Sequence, residues 1–169
     1  MQIIGTTAFW QSLEASPVGA YIAGSSWAFP TIESMHVIAM ITVVGSIMVM
    51  DLRLLRVASR EWAVTAVSRD TLPFTWIAFV IAAITGGLLF VSKAHIYAIE
   101  PWFQLKMLAL ACAGLNMAVF HLTTWKTVNN WDNGAVPRGA KVAAVLSLLF
   151  WLLVVFFGRA IGFTLGLYE

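Results

Sequence analysis

Four long apolar runs, each bordered by charged residues, constrain this chain more than any other feature. The runs from Phe74 to Ser92 and from Met107 to Trp125 hold no acidic or basic side chain apart from His121. The other two runs extend from Val37 to Met50 and from Val142 to Gly158. Because an α-helix needs about 20 mostly apolar residues to cross a bilayer, each run predicts one membrane-spanning helix, the two shorter ones with a few polar flanking residues.

Charged residues are too scarce for a soluble surface. They make up 11% of the chain, whereas 60% of the residues are hydrophobic. A soluble domain usually carries about 25% charged residues. The chain therefore forms one membrane domain and has no room for a second globular unit. We predict an all-α fold, an integral membrane four-helix bundle, with spans over residues 32–53, 73–95, 102–125 and 140–162.

The first 31 residues predict an interfacial amphipathic segment rather than a fifth span. Pro17, Gly19, Gly24 and Pro30 interrupt this stretch, and helix breakers are unfavourable in a lipid-exposed helix. Its Trp, Tyr and Phe residues favour the boundary between lipid and water. Residues 1–13 contain no Lys or Arg, so the basic start of a secretory signal peptide is missing.

The basic residues are distributed unequally between the two ends of the predicted bundle. One end, to which the N-terminal segment belongs, has only three basic residues, Lys93, Lys106 and Arg159. The richer end holds seven basic residues in its two loops, namely Arg53, Arg56, Arg60, Arg69, Lys126, Arg138 and Lys141. The positive-inside rule places that end in the cytoplasm, and both termini are then predicted to lie on the outer, periplasmic side. Since topology accounts for these charges, they do not indicate nucleic-acid binding.

Ionisable side chains within spans are costly and are candidate functional residues. At a rise of about 1.5 Å per residue, His36 lies roughly 22 Å along the first span from Asp51, and Arg159 roughly 27 Å along the fourth from Lys141. Each span therefore brings an ionisable group to the same outer level. The candidate site residues are His36, His95, Lys106 and Arg159, with Glu33 and Glu100 close by.

Two interpretations of this cluster remain open. In the first, the groups bind a cofactor or a metal, with His36 and His95 as the metal ligands. In the second, they form an ion-pair network that fixes the bundle, or simply mark the membrane interface. At the other end, Asp51 and His121 are predicted to form a structural hydrogen-bonded pair that joins the first and third spans.

Four short stretches carry a resemblance to an uncharacterised bacterial family of small four-helix membrane proteins, a domain of unknown function. The resemblance covers most of the chain, and it implies a location in the bacterial inner membrane. The stretches are Ile32-Glu-Ser-Met-His36, Asp51-Leu-Arg-Leu-Leu55, Thr85-Gly-Gly and Pro101-Trp-Phe-Gln-Leu-Lys106.

The third-span motif is also similar, more distantly, to HemJ-type protoporphyrinogen oxidases and to the membrane domain of CopD-type copper-resistance proteins. His36 matches the first-helix His of the HemJ-type motif, and Trp102 and Lys106 match its Trp and Lys. Gln104 stands where that motif has a second His. The resemblance implies a b-type haem site near His36 and Lys106, while Gln104 departs from the pattern of the porphyrinogen oxidases.

Three functional hypotheses result. The first is a redox protein that holds b-type haem, with His36 and His95 as candidate axial ligands and with Lys106 and Arg159 paired with the propionates. The second is a copper-binding or transport protein that uses Glu33, His36, Met40 and His95. The third is a structural or accessory subunit of a homo-oligomer or a larger membrane complex. A lipid-soluble substrate such as a quinone or a porphyrin would enter between helices.

Overall fold

The computed structural model describes residues 4–132 and 134–164, and no strand occurs within these ranges. Four of its helices are long and apolar enough to cross a membrane. This confirms the predicted all-α membrane bundle. In chain order the helices are α1 (Ile4–Glu14), α2 (Pro17–Gly24), α3 (Ala28–Leu54), α4 (Val64–Ser92), α5 (Ala94–Ile99), α6 (Pro101–Leu122) and α7 (Arg138–Thr164), with a 3-10 helix at Trp125–Asn130 between α6 and α7.

The predicted N-terminal segment forms α1, which contacts α5, and α2, which packs mainly on α4, while residues 28–31 belong to α3. Residues 1–3 of that segment lie outside the described ranges. The Ser16 hydroxyl accepts a hydrogen bond from the Gly19 amide at 3.2 Å, and Pro17 occupies the first turn, so α2 begins there. Gly19 approaches the Val91 carbonyl of α4 closely, since a Cβ at Gly19 would lie 3.0 Å from that oxygen.

The four long helices pack as two hairpins. Helix α3 runs along α4 and α6 runs along α7, and α3 and α7 join the two hairpins, whereas the backbones of α4 and α6 hardly approach each other. Small side chains, including Ala78 and Ala109, meet the larger Trp151 and Val154 at the centre. The bundle is therefore less tightly closed between α4 and α6 than along its other sides.

The chain between α6 and α7 folds over the end of the bundle at which Asp51 lies. Its 3-10 helix contributes Val128, and Trp131 follows directly. These side chains pack with residues from all four long helices or the loops beside them. The members of this cluster, which we call the Asp51-end cap, are Leu54, Val64, Phe120, Val128, Trp131, Val136, Ala140 and Ala144.

Helix α4 begins at Val64 rather than at the predicted Pro73, which lies inside the helix. The Thr65 amide donates to Asp132 Oδ1 at 2.8 Å and the Thr65 hydroxyl donates to Asp132 Oδ2 at 2.6 Å. A carboxylate that accepts the first free amides of a helix stabilises its start. Here the capping residue lies in a loop 67 residues away in the sequence. The residues next to Val64 therefore contain no capping signal from which the start of α4 could be predicted.

Arg53 anchors the same junction from α3. It is 2% exposed, and its Nε donates to the Trp62 carbonyl at 2.6 Å, while Nη2 donates to the Asp132 carbonyl at 3.4 Å. Burial by itself raises the pKa of the Asp132 carboxyl, but the hydrogen bonds from Thr65 and Val64 and the nearby Arg53 charge outweigh burial. The pKa of Asp132 is therefore held below its usual range.

Replacing Asp132 with Ala is expected to lower the free energy of unfolding by about 1–2 kcal/mol, because the Thr65 amide and hydroxyl lose their acceptors. Asp70→Ala is the matched control, since the Asp70 side chain is 62% exposed and forms an ion pair at 3.6 Å with the exposed Arg69. Thermal unfolding of both variants in detergent measures the difference. Equal stability of the two variants would show that the Asp132 cap contributes nothing.

The depressed pKa of Asp132 also predicts a pH dependence. The stability that the carboxylate contributes is complete above its unfolded pKa of about 3.9 and is lost as the pH falls through the lower folded value. Between about pH 4 and more acidic values, the parent protein should therefore lose stability more steeply than Asp132→Ala. Parallel slopes for the two proteins in acidic thermal melts would contradict this assignment.

Candidate functional site

A cavity of about 460 Å³ lies in the half of the bundle at which α3 begins. We call it the His36 cavity. Most of its wall is apolar, with contributions from α3, α4, α5, α6 and α7. Four of the six candidate residues named from the sequence line it, namely Glu33, His36, Lys106 and Arg159. The structure thus brings together ionisable groups from three of the four long helices at one level.

The His36 imidazole is held against α4 through its Nδ1 atom. This nitrogen lies 3.0 Å from the Ala82 carbonyl oxygen and 3.1 Å from the Thr85 hydroxyl oxygen. A carbonyl only accepts hydrogen bonds, so Nδ1 must carry the proton. The Thr85 hydroxyl donates to the Ile81 carbonyl at 2.7 Å, which leaves its oxygen free to accept from His36 as well. In the neutral ring the lone pair is therefore on Nε2, the usual arrangement for a metal-ligating histidine.

Gly86 provides the space that the His36 ring occupies. A Cβ at position 86 would lie 2.9 Å from His36 Cε1 and 3.3 Å from Nδ1. The adjacent Gly87 has nothing within 4 Å of the corresponding position. Only the first of the two neighbouring glycines is therefore required by the packing of α3 against α4.

Lys106 lies half-buried in the same cavity, where its Nζ is next to Gly158 of α7. Within residues 4–132 and 134–164 it forms neither a hydrogen bond nor an ion pair. Arg159 is exposed and lies over the Phe163 ring at 5.1 Å, and Glu33 is half-buried. A desolvated ammonium group without an anionic partner favours a ligand that brings negative charge into the cavity.

His95 does not line the His36 cavity, so the two predicted metal ligands are not brought together. Helix α4 ends at Ser92, Lys93 has a non-helical backbone (φ −144°, ψ 43°), and α5 begins at Ala94. The His95 amide donates to Glu14 of α1 at 3.2 Å, and its buried Nδ1 has no hydrogen-bond partner among residues 4–132 and 134–164. In the described part of the chain, no group of three or more His, Cys, Asp or Glu side chains is placed to hold a metal ion.

Two other residues of the third-span motif, Gln104 and Trp102, do not line the His36 cavity either. The exposed Gln104 donates to the Ala98 carbonyl of α5 at 3.0 Å, and the Trp102 ring packs on Phe157 of α7 at a centroid distance of 5.9 Å. Glu100 accepts from the Thr164 hydroxyl at 3.2 Å and so joins the start of α6 to the end of α7.

The predicted Asp51–His121 pair is not formed. His121 is exposed and its Nδ1 bonds to the Met117 carbonyl of its own helix at 2.9 Å. Asp51 is 5% exposed and has Ser147 of α7 as its hydrogen-bonding partner. The two side chains do line one cavity of about 240 Å³ at the capped end, which we call the Asp51 cavity. Asp51 therefore pairs with Ser147 of α7 instead of with His121 of α6, and nothing in the sequence indicated a partner on α7.

Residues 9–164 match the family of unknown function DUF6644. The chain belongs to the DUF6644 family. No curated protein and no solved structure matches this DUF6644 protein significantly. The expected membership of an uncharacterised family of membrane proteins is confirmed, whereas the likeness to HemJ-type and CopD-type proteins stays a prediction from a short motif.

Sequence reasoning missed the residues that hold His36 in place. Ala82 contributes a backbone carbonyl, which has no sequence signature, but Thr85 and Gly86 did leave a signal. A hydroxyl followed by a glycine within an otherwise apolar run marks a place where another helix approaches closely. It did not reveal that the approaching side chain is His36.

Substituting Gly86 with Ala is expected to push the His36 ring off α4, because the added Cβ would lie 2.9 Å from Cε1. The strain should cost about 1–3 kcal/mol of stability. Nitrogen-15 NMR of the histidine rings in detergent should show loss of the Nδ1-protonated form of His36. Gly87→Ala is the control and should leave that signal unchanged; a Gly86→Ala protein with an unaltered signal would refute the packing argument.

Proposed function

We propose that this DUF6644 protein is a haem-binding membrane protein with a redox role, in which His36 binds the iron of b-type haem through Nε2. The observation that carries the proposal is the state of the His36 ring. Its Nδ1 proton is committed to the Ala82 carbonyl, so the nitrogen that remains for a ligand is the one with the lone pair. A histidine fixed in this way at the wall of a large apolar cavity suits an axial haem ligand.

The size and the charges of the His36 cavity also suit a cofactor with a large apolar ring and two carboxylate groups, as haem has. Its volume of about 460 Å³ falls within the range of about 300–1,000 Å³ found for cofactor and ligand sites. Lys106 and Arg159 supply two cations for the propionate groups, and the mostly apolar wall would contact the macrocycle. Bound haem would supply one-electron chemistry, and the protein would fix its position and exclude water.

Copper binding receives less support from the same cavity. Glu33, His36 and Met40 do line it, but the fourth expected ligand, His95, lies outside. A site with mixed nitrogen, oxygen and sulfur ligands would therefore lack its second imidazole. The proposal accordingly assigns no role to His95 in ligation.

We further propose that the protein is located in a bacterial inner membrane with both termini in the periplasm. The seven basic residues at the Asp51 end of the bundle support that end as the cytoplasmic one. The His36 cavity then lies in the periplasmic half of the bilayer. A porphyrin, a quinone or a partner subunit would reach it from the periplasm or from the outer leaflet.

His36→Ala should abolish haem binding. The protein would be purified in detergent from cells supplied with a haem precursor, and absorption spectra would be recorded after air oxidation and after dithionite reduction. The parent protein is expected to show a Soret band and b-type bands on reduction. His121→Ala is the matched control, because His121 is exposed, forms a hydrogen bond with Met117 of its own helix and does not line the His36 cavity. No Soret band in the parent protein, even after addition of haemin, would eliminate the proposal.

Lys106→Gln tests the proposed contact between Lys106 and the haem propionates. Removing one charge-assisted hydrogen bond of about 1.5–3 kcal/mol should weaken haem affinity roughly tenfold or more, without abolishing the Soret band. Titration of the apoprotein with haemin measures the dissociation constant. Lys93→Gln is the control, since Lys93 lies over the Phe29 ring at 5.3 Å and does not line the cavity. Equal affinities of the two variants would exclude Lys106 from the site.

A further inference from the structure

The Asp51 cavity opens sideways, between α4 and α6. Of the residues that line it, those on α3 and α7 are buried or half-buried, and every exposed one lies on α4 or α6. Trp76 marks the mouth on α4, and Gly114, Met117 and His121 mark it on α6. The backbones of these two helices hardly approach each other, which leaves room for the mouth. Both helices are long and apolar enough to cross a membrane, so a mouth between them opens toward lipid.

The Asp51-end cap closes the same cavity toward the adjoining aqueous phase. Leu54 and Phe120 belong both to the cavity wall and to the cap, where Val128 and Trp131 pack with them. A molecule that enters the cavity therefore comes from the bilayer and passes between α4 and α6. Its solubility in lipid is the first property that the structure requires.

Among the described residues that line this wall, Asp51 is the one with a carboxyl group, and one of its oxygens lacks a hydrogen-bond partner there. The residue is 5% exposed and reaches Ser147, but Oδ2 has no hydrogen bond in the described structure. Neighbouring polar groups are already engaged: the Thr75 hydroxyl donates to Ser46 at 2.8 Å and the Asn116 amide donates to a backbone carbonyl at 2.9 Å. The Cβ–Cγ torsion of an aspartate is soft, so the carboxyl group can turn Oδ2 toward a ligand in the cavity.

Aromatic rings form much of the remaining wall. Their edges and faces pack well against another aromatic ring. A purely aliphatic chain would have neither a ring for this wall nor a hydrogen-bond donor for Asp51. The cavity of about 240 Å³ holds a ring-sized head group, and an attached tail can leave through the mouth into lipid. The aromatic residues of the wall are Trp76, Phe79, Phe120, Trp125 and Trp151.

We infer that the Asp51 cavity binds a lipid-soluble hydroxy-aromatic molecule, a phenol or a hydroquinone. It enters between α4 and α6, its ring lies among the aromatic side chains, and its hydroxyl group donates a hydrogen bond to the Asp51 carboxyl group. This inference is independent of haem binding, because the two cavities share no lining residue.

The test compares 4-nonylphenol with its methyl ether, 4-nonylanisole, which has nearly the same shape but no hydroxyl donor. Binding to the full-length protein in detergent is followed by tryptophan fluorescence excited at about 295 nm, because Trp76 and Trp151 line the cavity. The phenol is expected to bind about tenfold more tightly than the ether, as a hydrogen bond to a carboxyl group implies. Asp51→Ala should bring the two affinities together.

A matched pair of glycine variants keeps the test decisive even if Asp51→Ala fails to fold. Gly114 at the mouth and Gly87 on α4 outside both cavities are exposed, and neither has an atom within 4 Å of an added Cβ. Gly114→Leu should block the mouth and weaken phenol binding at least tenfold, whereas Gly87→Leu should not. Equal affinities of phenol and ether for the parent protein, or phenol binding that is indifferent to Gly114→Leu, would overturn the inference.

Discussion

The structure depends on one constraint: within the apolar part of a bilayer, a polar side chain must find its partner inside the protein. Helix α3 meets this constraint at two levels within the span. His36 donates to the Ala82 carbonyl of α4, and Ser46 accepts a hydrogen bond from Thr75 of α4. In the last turn of α3, Arg53 donates to two loop carbonyls. These contacts fix the rotation of α3 about its axis, so they decide which residues face each cavity.

The two cavities are consequences of how the hairpins pack. Helices α3 and α4 meet closely because Gly86 makes room for the His36 ring. The pairing of α3 with α7 joins the hairpins, but α4 and α6 hardly approach, and space remains toward both ends of the bundle. At one end that space holds Lys106, which has no partner in the described structure; at the other it adjoins the unpartnered Oδ2 of Asp51. Unsatisfied polar groups beside apolar space are the features that favour ligand binding at both places.

Much of the fold could be predicted from hydropathy, because the length and apolarity of a span are local properties. The convergence of His36, Lys106 and Arg159 at one level was also predictable, since helical rise converts residue number into depth. The prediction for His95 was wrong because helical rise gives the depth of a residue only as far as the helix continues. Helix α4 ends at Ser92, three residues before His95. The start of α4 was placed too late for a related reason: Asp132, distant in sequence, caps Thr65, and Pro73 is accommodated within the helix that results.

By itself, the sequence determined that the chain is a membrane protein with four spanning helices, and at what level each ionisable group lies. Only the tertiary structure decided which of those groups face one another. Depth follows from counting residues along one helix, whereas facing depends on the rotation and separation of neighbouring helices, which are set by contacts such as those of Gly86 with His36 and of Asp51 with Ser147.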